Sequence, residues 1–127
     1  MLVVLDYAFF VFHTLWILFN MFGWMWRKTR RAHLVVLSLT LFSWFGLGIC
    51  YGWGYCPCTD WHFQVRRQLG YPLTETSYIQ LLFRQGCGLT LGRSVADTLA
   101  LGVLIVIVIA TAIVWSRTWW AVRRRSG

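Results

Sequence analysis

The amino-acid sequence predicts an all-α membrane protein with three transmembrane helices and two short amphipathic helices on the outer face. Its 127 residues are 58% hydrophobic and 18% aromatic, which is more apolar surface than a soluble domain of this size can hide. Three apolar runs are each long enough to cross a hydrocarbon layer of about 30 Å, which takes about 20 helical residues. The net charge of +8 sits in short basic clusters beside these runs. That placement favours the lipid bilayer as a partner and argues against nucleic acid.

The three expected spans cover residues 4–24, 34–54 and 95–115. The first has no basic n-region and no small-residue cleavage site, so we interpret it as an uncleaved anchor and not as a signal peptide. Residues 56–92 are mixed in polarity and form the expected outer segment. Because no internal repeat or low-complexity linker interrupts the chain, we expect a single membrane domain over residues 1–127.

Basic clusters follow the first and the third expected spans. One covers residues 27–31 and the other covers residues 117–125. Since positive charge near span ends marks the cytoplasmic side, both clusters are expected in the cytoplasm. Three spans satisfy this with the N-terminus outside and the C-terminus in the cytoplasm, whereas an even number of spans would place one cluster on the wrong side.

The outer segment contains two candidate helices that are too short to cross a membrane. Thr59 is the expected N-cap of the first helix, with Asp60 in its first turn. Gly70 suits the position just past the end of that helix. The second candidate covers residues 77–85, and glycines follow it.

All four cysteines fall in the outer half of this topology: Cys50, Cys56, Cys58 and Cys87. A bridge between Cys56 and Cys58 is awkward because only Pro57 separates them. A disulfide from either one to Cys87 would join the two outer helices, and an oxidising compartment would preserve it. The functional alternative is a thiol-redox or metal site with His62 as an additional ligand. We favour structural cysteines, because the Cys-Pro-Cys turn has no second pair at zinc-ligand spacing, and the metal stays unknown.

Three polar residues in the first span, Asp6, His13 and Asn20, are each seven positions apart. Seven residues return a helix to nearly the same face, and ionisable groups at membrane depth are functional candidates. With antiparallel packing we expect an outer polar layer containing Asp6, Asp97 and the Cys-Pro turn. A donor such as Arg66 should lie between the two carboxylates. The alternative for Asp97 is a helix cap, and the alternative for His13 is a hydrogen bond to a neighbouring helix.

No cofactor is expected. The three histidines, His13, His33 and His62, fall at different depths, so one chain does not provide a bis-histidine haem site. The sequence contains no glycine-rich phosphate loop, hydrolase elbow or paired-carboxylate site.

The chain resembles the bacterial domain of unknown function 2784 family of small integral membrane proteins. The matching features are the first-span histidine His13, His33 at the start of the second span, the Gly/Trp-rich end of that span, Cys56-Pro57-x-Thr59, Arg66-Arg67 and Gly70. The resemblance covers most of the chain and is strongest over residues 13–70. The sequence departs from the family pattern at Cys58, where leucine is typical, and at His62, where an acidic residue is common. The resemblance implies a bacterial inner-membrane location and supplies no activity, substrate or cofactor.

These observations favour a non-enzymatic accessory or assembly component that acts with a membrane-protein partner or as a homo-oligomer. The alternative is a periplasm-facing thiol-redox or metal-binding protein that uses the turn at residues 56–58. A third possibility is a small proton-coupled carrier. The candidate functional residues are Asp6, His13, Asp97, Cys56, Cys58, His62 and Arg66.

Overall fold

The computed structural model describes residues 1–127 and contains helices without a β-strand, which confirms the predicted all-α class. The first long helix is α1 (Leu2–Phe22). A second helix of membrane length runs over Arg30–Tyr51 and consists of α2 (Arg30–Leu41), a π-helical segment (Phe42–Leu47) and α3 (Gly48–Tyr51). Two short helices follow, α4 (Pro57–Gln68) and α5 (Tyr78–Cys87), and α6 (Arg93–Arg125) completes the chain.

Three helices are long and apolar enough to cross a membrane, as the sequence predicts: α1, the helix over Arg30–Tyr51, and α6. The second of them ends earlier than expected because Gly52 has a φ of +107°, which interrupts the helical backbone. The third continues past residue 115 to Arg125, because no proline or glycine lies in residues 116–125 to end it. At 1.5 Å per residue, α6 is about 50 Å long.

Helix α1 is apolar on its exposed surface and polar on its buried surface. Its buried residues are Asp6, His13 and Asn20, all on the single face that their spacing predicts. Val4 and Leu15 are 71% and 59% exposed. Apolar faces outward and polar groups turned toward protein are the arrangement expected in lipid, so the chain is a membrane protein.

Two small apolar clusters hold the helices together. One joins α4 and α5 and contains Phe63, Tyr78 and Leu81. Phe10 and Ile17 of α1 pack against it, so the two short helices lie along α1 and not at the end of the bundle. The other cluster joins α2 to α6 and contains Leu37, Leu104 and Ile107.

The start of α4 differs from the sequence expectation. Cys56 is the N-cap residue and Pro57 occupies the first helical position, where the missing N–H costs nothing. Thr59 therefore lies inside the first turn and does not cap the helix. Its hydroxyl faces His13 of α1 instead.

Helix α5 begins with a capping box, in which the Ser77 hydroxyl accepts a hydrogen bond from the backbone of the first turn. The Gln80 side chain bonds back to the Ser77 N–H at 3.2 Å. Helix α6 begins at Arg93 with Gly92 as its N-cap, so Asp97 lies inside the helix and does not form the cap that was its alternative role.

Candidate functional site

A buried ionic triad links the N-terminal part of α1 to α4. The His62 Nε2–H donates to Asp6 Oδ1 at 2.6 Å, and Arg66 Nη1 donates to the two Asp6 carboxylate oxygens at 3.3 and 3.4 Å. His62 and Arg66 are one helical turn apart on α4, so both side chains reach the same carboxylate. His62 and Arg66 thus supply the hydrogen-bond donors that the Asp6 carboxylate needs inside a membrane.

The charges of this triad are balanced when His62 is neutral. Burial lowers the pKa of His62 and outweighs the Asp6 carboxylate, which raises it. Asp6 and Arg66 then form a compensated pair, which reduces the cost of burying either charge. His62 is fully buried, and its Nδ1 and the Arg66 Nε have no hydrogen-bond partner.

The second part of the site surrounds His13, about 10.5 Å further along α1 by helix rise. The His13 ring stacks on Tyr78 of α5, with ring centroids 3.9 Å apart and planes 10° apart. Its Nδ1 lies 3.4 Å from the Thr59 hydroxyl, and its Nε2 lies 4.0 Å from Cys56 Sγ. Three elements, α1, α4 and α5, therefore hold this imidazole.

Tyr78 is itself anchored to the α1 backbone. Its hydroxyl donates to the Phe10 carbonyl oxygen at 2.8 Å and lies 2.9 Å from the Thr14 hydroxyl. Burial raises the pKa of Tyr78, so the phenol stays protonated and acts as a donor. This contact fixes the ring on which His13 stacks.

The structure has all four cysteines as free thiols, and the disulfide from Cys56 or Cys58 to Cys87 stays a prediction. Cys87 is exposed at the last residue of α5, whereas Cys56 precedes α4 and faces His13. Burial and then the neighbouring Cys56 raise the pKa of the Cys58 thiol. The fourth cysteine, Cys50, is also exposed.

A third polar contact lies near the other end of α1. Asn20 Nδ2 donates to the Thr40 hydroxyl oxygen at 3.2 Å, and Trp16 Nε1 donates to the same oxygen at 3.1 Å. His33 is fully buried, and its Nε2–H donates to the Asn20 carbonyl oxygen at 2.9 Å. These bonds join α1 to α2, and we assign them a structural role.

Most of the candidate residues converge along one side of α1, but Asp97 does not. Its side chain is 59% exposed and pairs with Arg93 of the same helix at 3.7 Å, whereas the ion pairs of Asp6 are with His62 and Arg66. The sequence predicts Thr59 as a helix cap and does not mark Tyr78, yet both residues contact His13. No local signal marks Tyr78, because its contact depends on how α5 packs on α1.

The structure contains no group of three or more histidine, cysteine and acidic side chains close enough to hold a metal ion. Asp6 and His62 form one pair, and Cys56 and His13 form another. A metal centre built on the turn at residues 56–58 with His62 as a ligand therefore has no support in this geometry.

The family model described as Protein of Unknown function (DUF2784) matches residues 3–116. The match covers most of the chain, so the protein belongs to this family, as the sequence resemblance indicates. Neither the curated proteins nor the solved structures gave a match.

Proposed function

We propose that this member of the DUF2784 family is a non-enzymatic accessory or assembly component of the bacterial inner membrane. The proposal rests mainly on how little of each long helix is buried by the rest of the chain. Within the most apolar window of each helix, 11%, 11% and 17% of the residues are buried. Helices in lipid associate through close packing and not through hydrophobic exclusion. The uncovered faces therefore leave room for helices of a partner.

A groove between α1 and α6 is the surface that suits such a partner best. It has a volume of about 410 Å³ and an apolar lining that includes Met21, Trp24 and Val106. Gly102 lies in the groove, and nothing lies within 4 Å of the position that a Cβ would occupy there. A small residue at such a point allows a second helix to approach closely.

The polar site supports a structural role for the outer helices. The Asp6 carboxylate is occupied by His62 and Arg66, and these contacts attach α4 to α1. Glu75, the other buried carboxylate, pairs with Arg84 at 2.6 Å within the outer segment. Because these buried carboxylates already have ion-pair partners, their main role is to stabilise the fold.

The charge distribution supports an orientation with the N-terminus outside and the C-terminus in the cytoplasm. The clusters in residues 27–31 and 117–125 contain eight basic residues and no acidic residue. The remaining four basic residues share the other side with all four acidic residues: Asp6, Asp60, Glu75 and Asp97. In this orientation the whole net charge of +8 faces the cytoplasm.

Copurification from native membranes tests the accessory role. The chain would carry an affinity tag after Gly127 and be isolated in a mild detergent, and its partners would be identified by mass spectrometry. A Gly102→Leu variant projects a side chain into the groove from a point where a Cβ meets nothing within 4 Å, and it should lose the partner. Gly86→Leu is the matched control, because Gly86 also has open space but lies outside the groove. Recovery of the chain alone, or the same partner with Gly102→Leu, would contradict the proposal.

A further inference from the structure

We propose that Cys56, His13 and Thr59 form a reactive thiol site that undergoes thiol–disulfide exchange with a compound or protein bearing an accessible disulfide. Cys56 Sγ lies 4.0 Å from His13 Nε2, and His13 Nδ1 lies 3.4 Å from the Thr59 hydroxyl. A nucleophile, a base and a third group that orients the base are the parts that activated cysteines require. This activity lies beyond the accessory role and uses residues outside the Asp6 triad.

The contact with Thr59 is compatible with the tautomer of His13 that the site needs, because a hydroxyl can accept as well as donate. When Nδ1–H donates to the Thr59 hydroxyl oxygen, Nε2 carries the lone pair that faces Cys56. The stacked Tyr78 ring holds the imidazole plane, with centroids 3.9 Å apart. The Thr59 hydroxyl and the His13 ring are thus positioned by separate helices, α4 and α1.

Cys56 also lies at the start of a helix. Cys56 is the N-cap of α4, a helix of 12 residues. The free N–H groups and the dipole at a helix N-terminus stabilise a negatively charged sulfur. Cys56 is half-buried, so a disulfide can reach it, whereas His13 is 8% exposed.

The exchange balances without a further reactant. The Cys56 thiol transfers its proton to His13 Nε2, and the thiolate attacks one sulfur of the disulfide R–S–S–R′. A Cys56–S–S–R bond forms, the S–S bond of the reagent breaks, and R′–S⁻ leaves. His13 returns the proton to give R′–SH. The incoming disulfide is the oxidant, and Cys56 is oxidised to the mixed disulfide.

Cys58 is the neighbouring thiol and does not take the first step. Burial and the Cys56 sulfur raise its pKa, so it remains a thiol while Cys56 reacts. It also lies in the first turn of α4, two residues from Cys56, where a direct bridge between the two is awkward. The mixed disulfide on Cys56 is therefore the expected product.

The test measures how fast each cysteine of the full-length protein reacts with dithiodipyridine, a neutral disulfide, in lipid nanodiscs. Peptide mapping by mass spectrometry assigns the reaction to individual cysteines over a range of pH. Cys87 serves as the internal control because it is exposed and lies outside the site. We expect Cys56 to react at least about tenfold faster than Cys87 at neutral pH.

Variants of the two partner residues decide whether the geometry causes the reactivity. His13→Phe keeps an aromatic ring on Tyr78. It should lower the reaction rate of Cys56 at least about tenfold and leave the rate of Cys87 unchanged. Thr59→Val preserves side-chain volume and should slow Cys56 and shift its pH profile upward, and Thr59→Ser should restore both. If His13→Phe does not fold, the Thr59 pair gives the decision. A Cys56 that reacts no faster than Cys87, or that is unaffected by the partner variants, would overturn the proposal.

Discussion

The imidazole of His62 and the carboxylate of Asp6 are 2.6 Å apart, although 56 positions separate them in the sequence. This contact joins α4, which lies outside the three long helices, to the buried face of α1. With Arg66 on the next turn of α4, it places two of the polar contacts that attach the outer segment to α1 on one carboxylate. The same helix pair carries the Cys56 and His13 contact. Loosening the triad should therefore disturb both parts of the site.

Asp6→Asn should detach the outer segment, because it leaves the 4%-exposed Arg66 without its counter-charge. Breaking a buried pair in this way costs about 3–5 kcal/mol. The measurement is the rate of proteolysis within residues 56–92 of the protein in nanodiscs. Adding Arg66→Gln to Asp6→Asn should cost less than the sum of the two single substitutions. Strictly additive effects would contradict a direct interaction between these residues.

The attachment of the outer segment should weaken in acid. The fold lowers the pKa of His62 from its ordinary value of 6.5, mainly through burial, so the unfolded or detached state takes up the proton first as the pH falls. Stability from neutral His62 is therefore complete above about pH 6.5 and is lost as the pH drops toward the lowered pKa. Melting temperatures between about pH 5 and pH 8 should rise with pH in the native protein. His62→Gln should flatten this rise, and an equally steep profile in the variant would contradict the assignment.

The predictable part of this molecule is the part encoded by local patterns. Long apolar runs predict the three long helices, and the seven-residue spacing of Asp6, His13 and Asn20 predicts their common face. Ser77 and the glycine after residue 87 delimit α5. These features follow from helix geometry and capping, which act within a few residues.

The remaining features depend on packing between distant segments. The stacking of His13 on Tyr78 depends on how α5 packs on α1, and the exposure of Asp97 depends on how α6 packs. Asp97 pairs with Arg93 of its own helix, whereas Asp6 pairs with His62 and Arg66 of α4. The π-helical segment at Phe42–Leu47 likewise has no marker in the local sequence.

Gly23 is a position of close contact and should not tolerate a side chain. A Cβ there would lie 2.6 Å from the Phe19 carbonyl oxygen and 3.0 Å from the His33 ring. Gly23→Ala should destabilise the protein by about 1–3 kcal/mol through overpacking, as measured by denaturant unfolding in micelles. Gly102→Ala is the control, because nothing lies within 4 Å of that position, and it should be neutral. Equal stability of the two variants would contradict the packing of His33 against the end of α1.

The orientation of the chain is tested with reporter fusions after Gly127. A reporter that is active only in the cytoplasm should be active at this site, because both basic clusters are expected on that side. Replacing Arg27, Lys28, Arg30 and Arg31 together with alanine should invert or scramble the orientation. Activity of an exported reporter at Gly127 in the unaltered chain would contradict the proposed topology.

Photo-crosslinking in native membranes tests the accessory role most directly. Benzoyl-phenylalanine would be placed at Val106, which lines the groove between α1 and α6, and at Ile105 as the control. The two residues are adjacent on α6 and 65% and 49% exposed, but Ile105 lies outside the groove. We expect a discrete protein adduct from Val106 that is absent from Ile105. Lipid adducts alone from both positions would contradict it.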